Sequence, residues 1–200
     1  MRVIGLTGGV GSGKSFAAQL LNKICQGELL ITDELGHKVM EKHTTAYQQI
    51  VETFGTTILD EKENIIRDRL SKLVFASQEK LDALNSIIHP AVKAYLRDYI
   101  DKRRKKEGII ILESAILYET DCDKFCDEVW FVCVSEEIRI ERLMTGRGYT
   151  REKCLAIMQK QQTEQVLRER ADVVVENNGS VVELEAYLQS ICAAKGFISN

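Results

Sequence analysis

The sequence predicts a doubly wound α/β fold, a parallel sheet with helices on both faces, and three observations carry that prediction. Five short apolar runs, Arg2–Thr7, Leu29–Ile31, Ile109–Leu112, Val129–Val134 and Val173–Val175, have the unbroken apolar character of strands buried on both sides. Stretches with helical spacing separate them, the alternation that produces a parallel sheet. Five of the 13 glycines, Gly5, Gly8, Gly9, Gly11 and Gly13, crowd into and just beyond the first strand, a demand for backbone freedom at one place.

The 200 residues suffice for one domain with a buried core and a small appended lobe. With 27 basic and 30 acidic residues the formal charge is −3, which excludes a global footprint for nucleic acid or an anionic membrane. Any polyanion must therefore be held by a local device. The longest uncharged stretch, Val3–Gly13, falls far short of the ~18 apolar residues of a spanning helix, and Met1-Arg2-Val-Ile-Gly5 does not read as a secretory signal. Six cysteines (Cys25, Cys122, Cys126, Cys133, Cys154, Cys192) are scattered without a C-x-x-C pair and read as reduced thiols of a cytoplasmic protein.

The first strand runs into Gly8-Gly9-Val10-Gly11-Ser12-Gly13-Lys14-Ser15, which fits G-x-x-x-x-G-K-[ST]. From Lys14 to Cys25 the apolar residues Phe16, Ala17, Leu20, Leu21 and Ile24 recur at helical spacing, and Gly27 supplies a stop. Strand, loop and helix are the context this phosphate-binding loop requires; at this composition chance would supply only about 0.006 matches. Glycines let successive N–H groups curl round a phosphate, and the helix end adds its field. Lys14 then reaches the β and γ phosphates of a nucleotide and the Ser15 hydroxyl ligates Mg²⁺.

After the second strand comes Asp33, at the strand end where ligands bind in such sheets. It suits either a proton acceptor for an attacking hydroxyl or the cap of a helix starting near Leu35. The stretch from Asn64 to Lys106 is helical and too long for a plain crossover, so it is expected to form a lobe beside the sheet. Pro90, the sole proline, is expected to end one helix near Ile88 or His89 and open another. The lobe's Leu70, Leu73, Val74, Leu81, Leu84, Ile87 and Ile88 read as core, and Asp101-Lys-Arg-Arg-Lys-Lys-Glu107 as a solvated helix end rather than a nucleic-acid patch.

The third strand ends on Glu113, a place from which an acid can hold Mg²⁺ directly or through water. After the fourth strand, a stretch from about Arg139 to Arg170 carries Arg139, Arg142, Arg147, Arg151, Arg168 and Arg170, with Gly146 and Gly148 at its centre. Its pattern suggests a helix-turn-helix flap that excludes water and delivers arginine to migrating charge.

These residues together resemble the dephospho-CoA kinase family over nearly the whole chain. Ile4-Gly-Leu-Thr-Gly-Gly-Val-Gly-Ser-Gly-Lys-Ser15 is similar to the family's opening, and Thr32-Asp33 falls where the family has a D-A-D type motif. Arg67-Asp-Arg-Leu70 through Val74-Phe75 and Leu84-Asn-Ser-Ile-Ile-His-Pro-Ala-Val92 resemble R-x-x-L…V-F and L-N-x-I-x-H-P-x-V; the second is the most family-specific and covers His89 and Pro90 together. Leu117-Tyr118-Glu119, Gln161, Ala171-Asp172 and Asn177-x-Gly179 match the later signatures. The chain departs from the pattern in having Glu113 for Asp, Ala115-Ile116-Leu117 for P-L-L, and Arg147 five positions after Arg142 rather than four.

The resemblance implies a P-loop NTPase fold with a core at 1–63, 107–138 and 171–200, an acceptor-binding lobe at about 64–106 and a lid at about 139–170. It implies transfer of the γ-phosphoryl group of ATP to the ribose 3′-hydroxyl of dephospho-CoA. Gly9, Gly11, Ser12, Gly13, Lys14, Ser15, Phe16, Arg142 and Asn177 would hold the nucleotide, with Mg²⁺ on Ser15. Asp33, Lys14 and Arg142 would be catalytic; Asp33, Arg67, His89, Pro90, Leu117 and Tyr118 would meet the acceptor. A monomer or weak homo-oligomer, with no nucleic-acid or membrane partner, is expected. Another small P-loop nucleoside or nucleotide kinase is the alternative. A regulatory GTPase would match the loop and Asp33-Glu-Leu-Gly36 as D-x-x-G, but its N-K-x-D guanine reader is missing here, since Asn22-Lys-Ile-Cys25 fails at its last residue, and the D-x-x-G lies too close to the loop to leave room for a first switch segment.

Overall fold

A computed structural model describes residues 1–198. The chain divides into two compact units, Met1–Ile31 with Arg104–Asn200, and Thr32–Arg103.

The first unit is built on a five-stranded parallel sheet of order β2-β3-β1-β4-β5, from β1 (Arg2–Thr7), β2 (Glu28–Ile31), β3 (Ile109–Glu113), β4 (Glu128–Cys133) and β5 (Val173–Glu176). All five expected strands form, within a residue or so at their ends. The central β1 pairs Arg2 with Ile109 on one side and Ile4 with Glu128 on the other. Carboxylates begin two of the pairings: Asp127 accepts from the Val3 N–H and Asp172 from the Val129 N–H, each at 2.7 Å. Helix α1 (Lys14–Cys25) lays Ala17, Ala18 and Leu21, and the C-terminal helix (Val181–Ala194) Leu184, Leu188 and Cys192, into one core with Ile4, Leu6, Ile111, Trp130 and Val175.

The arginine-rich segment is three helices, Glu136–Arg147, Arg151–Met158 and Glu164–Arg170, rather than the single helix-turn-helix its pattern suggested. Thr163 makes the third helix by accepting from the Val166 N–H, and Gly148 at φ 63° ends the first. The first two close on Ile140, Leu143 and Cys154, with Val10 of the loop packed against them.

The second unit is helical: α2 (Thr32–Val39), α3 (Thr45–Phe54), α4 (Arg67–Phe75) and α5 (Gln78–Asp101). It begins at Thr32, earlier than the 64 the sequence suggested. α2 and α3 pack on α5, and Ile50 joins Ile58, Leu70, Val74 and Leu84 in one core. The expected break at His89-Pro90 is absent, since α5 runs unbroken for 24 residues with Pro90 inside it. An interior proline costs ~3 kcal/mol. Against this, the turns beyond it bury Val92, Leu96 and Ile100 at roughly 1.5–3 kcal/mol apiece, and Pro90 and Ser86, whose carbonyl loses its helical donor, are both exposed so that water can serve that oxygen. With α1, these helices take the numbers up to α5, and the remaining four are α6 (Glu136–Arg147), α7 (Arg151–Met158), α8 (Glu164–Arg170) and α9 (Val181–Ala194).

Candidate active site

β1 is the central strand, and the chain leaves its carboxyl end through Gly8–Gly13 into α1. Gly11 and Gly13 both take φ 84°, a conformation that side chains other than glycine's rarely adopt. Space forbids a side chain as well. A Cβ at Gly13 would run into the Asn177 amide, and one at Gly11 would lie 2.9 Å from Leu143 Cγ. α1 has no side-chain N-cap hydrogen bond and no acidic residue in its own first turn, so no side chain of the helix itself occupies the positive end of its dipole.

Three side chains converge there. Lys14 forms an ion pair with Glu113 at the end of β3, and the Ser15 hydroxyl donates to the same carboxylate at 3.4 Å. Glu113 is 4% exposed, so its charge is compensated inside the protein rather than by water. One hydroxyl and one carboxylate are hard oxygen ligands, and their small number suits Mg²⁺, which keeps waters and phosphate oxygens for its remaining positions. Among the described residues no group of three or more His, Cys, Asp or Glu could hold an ion by itself.

The loop is clasped from behind by later segments. Asn177, buried after β5, donates through Nδ2 to the Ser12 carbonyl at 2.7 Å. The Arg142 guanidinium, from α6, donates to the carbonyls of Asn177 at 3.0 Å and Ser12 at 3.5 Å. Arg139, one helical turn earlier, donates to the Val10 carbonyl at 2.5 Å and to Gln161 Oε1, which also accepts from the Val10 N–H at 3.3 Å. Burial pulls the Arg139 pKa below its ordinary value. The Ser12 hydroxyl is buried inside the loop without a partner. Phe16 is 41% exposed in the first turn of α1, and Arg147 is exposed at the end of α6.

Leu117 is fully buried, within reach of the position a Cβ on Gly5 would take, so it acts from the core and presents no surface to a ligand. Tyr118 is also buried, its hydroxyl without a partner and the Arg170 guanidinium 3.7 Å from its ring centroid; burial pushes the phenol up to about 12.

In the helical unit Asp33 is exposed in the first turn of α2, which starts at Thr32 rather than near Leu35. Arg67, the first residue of α4, donates to His37 Nε2 at 2.5 Å. These two line a groove of about 430 Å³, together with Asp68 and Ser71 and an apolar wall that includes Met40, Leu70, Val74 and Leu84, a size in the range of small-ligand sites. His89 is half-buried in α5, and burial, helped by the charge of Lys93, holds its pKa below the usual histidine value.

Comparison with known proteins decides the family: residues 2–183 match the family described as dephospho-CoA kinase. The chain belongs to the dephospho-CoA kinase family. It is 38% identical over 182 residues to the dephospho-CoA kinase of Carboxydothermus hydrogenoformans, covering 90% of this chain and 87% of that one. It is 36% identical over 190 residues to that of Bacillus licheniformis, covering 94% of each. Among solved structures, TT1252 from Thermus thermophilus superposes with a TM-score of 0.77 at 30% identity, covering 96% of this chain and 97% of that one. The shikimate kinase of Bacteroides thetaiotaomicron, at 13% identity and a TM-score of 0.55, covers 98% of each chain and shares the fold. The chain is thus a kinase of coenzyme A biosynthesis with a P-loop fold.

Three side chains in the two units carry contacts that the sequence does not announce. Arg139 was visible only as one of several flap arginines, and Gln161 only as a family match, yet together they grip Val10. His37 carried no signal, because its partner Arg67 is thirty positions away.

Proposed function

We propose that the γ-phosphoryl group of ATP passes to the ribose 3′-hydroxyl of dephospho-CoA, with the nucleotide phosphates on the Gly8–Ser15 loop. The observation that carries this reading is the convergence of Lys14, Ser15 and Glu113 at the end of β1, in a chain of this family. Lys14, paired to Glu113, exchanges that partner for β and γ phosphate oxygens, and the loop amides of Gly9, Gly11, Ser12 and Gly13 with the first turn through Phe16 cradle the rest. Ser15 and Glu113 would hold Mg²⁺, which when bound offsets the charge that develops on the transferring group. Arg142, anchored through Ser12 and Asn177, places a further positive charge beside the loop. Asp33 orients the acceptor hydroxyl and takes its proton.

The groove beside His37 and Arg67 suits an acceptor with a charged end and a long uncharged arm; α5 lines it with Leu84 and Ile88, and His89 and Pro90, which follow them, meet the acceptor in the family's pattern. Tyr118 contributes at the acceptor side, and Leu117 backs it from the core. Mixed polar and apolar lining is what separates such an acceptor from a nucleoside, which has no arm to fill Met40, Leu70 and Val74.

An ADP-release assay with dephospho-CoA, adenosine, AMP and uridine as acceptors tests the reading. Dephospho-CoA is expected to give the highest kcat/KM by at least tenfold. A preference for adenosine or a nucleoside monophosphate would overturn it, as would GTP hydrolysis without an acceptor.

A further inference from the structure

Cys25, the last residue of α1, and Cys192, near the end of α9, lie with their sulfurs 3.6 Å apart. Both belong to the sheet unit, and both are thiols. They differ in access. Cys192 is fully buried in the core, whereas Cys25 is only half-buried and lines an open surface groove with Ile24, Gln26, Gln189, Ala193 and Phe197. The pair stands at the opposite end of α1 from Lys14, ~16 Å along a helix of this length, so the phosphate chemistry makes no use of it.

We propose that Cys25 and Cys192 form a reversible redox pair, with Cys25 the attacking thiol and Cys192 the resolving one, and a low-molecular-weight disulfide as oxidant. The geometry meets the two requirements of such a pair: one sulfur that a small molecule can reach, and a second in contact with it but shielded. The electrostatics run the same way. The hydrogen bond with Cys192 lowers the Cys25 pKa, while that bond and burial raise the Cys192 thiol. Of the two, Cys25 is thus the one whose thiolate, the nucleophilic form, is favoured.

The reaction balances in two exchanges. Cys25 loses its proton and attacks one sulfur of the small disulfide; a bond forms to that sulfur, the original S–S bond breaks, and one small thiolate leaves. Cys192 then loses its proton and attacks Cys25 Sγ, forming the internal disulfide and expelling the second small thiolate. Two protein thiols are oxidised by two electrons, one small disulfide is reduced to two thiols, and the two released protons go to the leaving thiolates. The remaining cysteines do not compete. Cys122, Cys133 and Cys154 are buried, and burial pushes the Cys126 thiol well above its ordinary value.

The test equilibrates the reduced full-length protein in glutathione buffers of falling thiol-to-disulfide ratio, quenches with acid, alkylates and maps peptides. Wild type is expected to lose two hydrogen masses, yield a Cys25–Cys192 linked peptide, and melt about 5–10 °C higher because the cross-link closes a long loop. Cys192→Ser is expected to stop with one glutathione on Cys25, and Cys25→Ser to leave Cys192 unmodified. The absence of the linked peptide from wild type at every ratio overturns the pair, and this arm needs no substitution. Glutathione persisting on Cys25 of wild type overturns the resolving role of Cys192. Modification of Cys192 in Cys25→Ser overturns the assignment of the attacking thiol.

Discussion

Replacing Asn177 with alanine removes one hydrogen bond and very little else. Its Nδ2 donates to Ser12 O at 2.7 Å from a residue 6% exposed, while its backbone N–H donates to Cys133 O at 2.8 Å and its carbonyl accepts from Arg142 at 3.0 Å. The two backbone bonds survive in Asn177→Ala. The Ser12 carbonyl then keeps only the 3.5 Å contact from Arg142, the outer limit of a hydrogen bond. Leaving such an acceptor buried costs ~1–3 kcal/mol. In a chain of this size each kcal/mol lowers Tm by ~2–4 °C, so about 2 kcal/mol gives a fall of roughly 4–8 °C. The same bond holds the turn of the loop against Gly13, and a loss of ~1.4 kcal/mol in nucleotide binding raises the KM for ATP about tenfold. Thermal melting and ATP titration at saturating acceptor measure both. Asn177→Asp keeps the shape but sets a carboxylate against the Ser12 carbonyl, and is expected to be worse than alanine in both assays. Alanine behaving like wild type, or aspartate matching it, would refute the clasp.

Lys14→Met is expected to lose turnover by about 10³ or more and also to destabilise, since Glu113 keeps a buried charge without that cation. Adding Glu113→Gln is expected to restore Tm but not activity, which melting and ADP release on the double variant separate. Arg142→Ala is expected to lower kcat by about 10²–10³ with a smaller change in KM for ATP, and unchanged turnover in steady-state kinetics would remove Arg142 from the chemistry. His89 has a folded pKa held below its unfolded value of about 6.5, so the unfolded state binds the proton more tightly and stability falls as pH drops through 6.5 toward the folded pKa. Denaturant unfolding between about pH 7 and pH 5 is expected to show a shallower loss in His89→Gln than in wild type.

Much of the sheet unit was legible because its signals are local. Each strand is a contiguous apolar run, and the loop is a contiguous motif whose glycines state their own reason in φ and in space. Glu113 could be placed at a strand end, but not against Lys14, because that contact depends on the parallel register of β1 with β3. Pro90 misled for the same cause in reverse. The propensity of one residue argued for a break, and the burial of Val92, Leu96 and Ile100, which no local window reveals, outweighed it. The start of the helical unit was missed because α2 and α3 declare their partner, α5, only through packing. The Arg139–Gln161 grip and the His37–Arg67 pair join residues from different elements, and side-chain hydrogen bonds of that sort leave no periodic trace.

The order of the sheet sets when the phosphate loop becomes competent. β1 sits in the middle, yet both of its neighbours come late, Ile109–Glu113 on one side and Glu128 onward on the other. The glycine loop therefore hangs from a strand with no partner until about a hundred further residues have been placed, a long-range closure of the kind that slows folding. Asn177, Arg139 and Gln161, which grip it, come later still. The full clasp of the loop exists only in the finished chain. ATP held by that clasp adds RT ln(1 + [ATP]/Kd) to the stability of the completed fold.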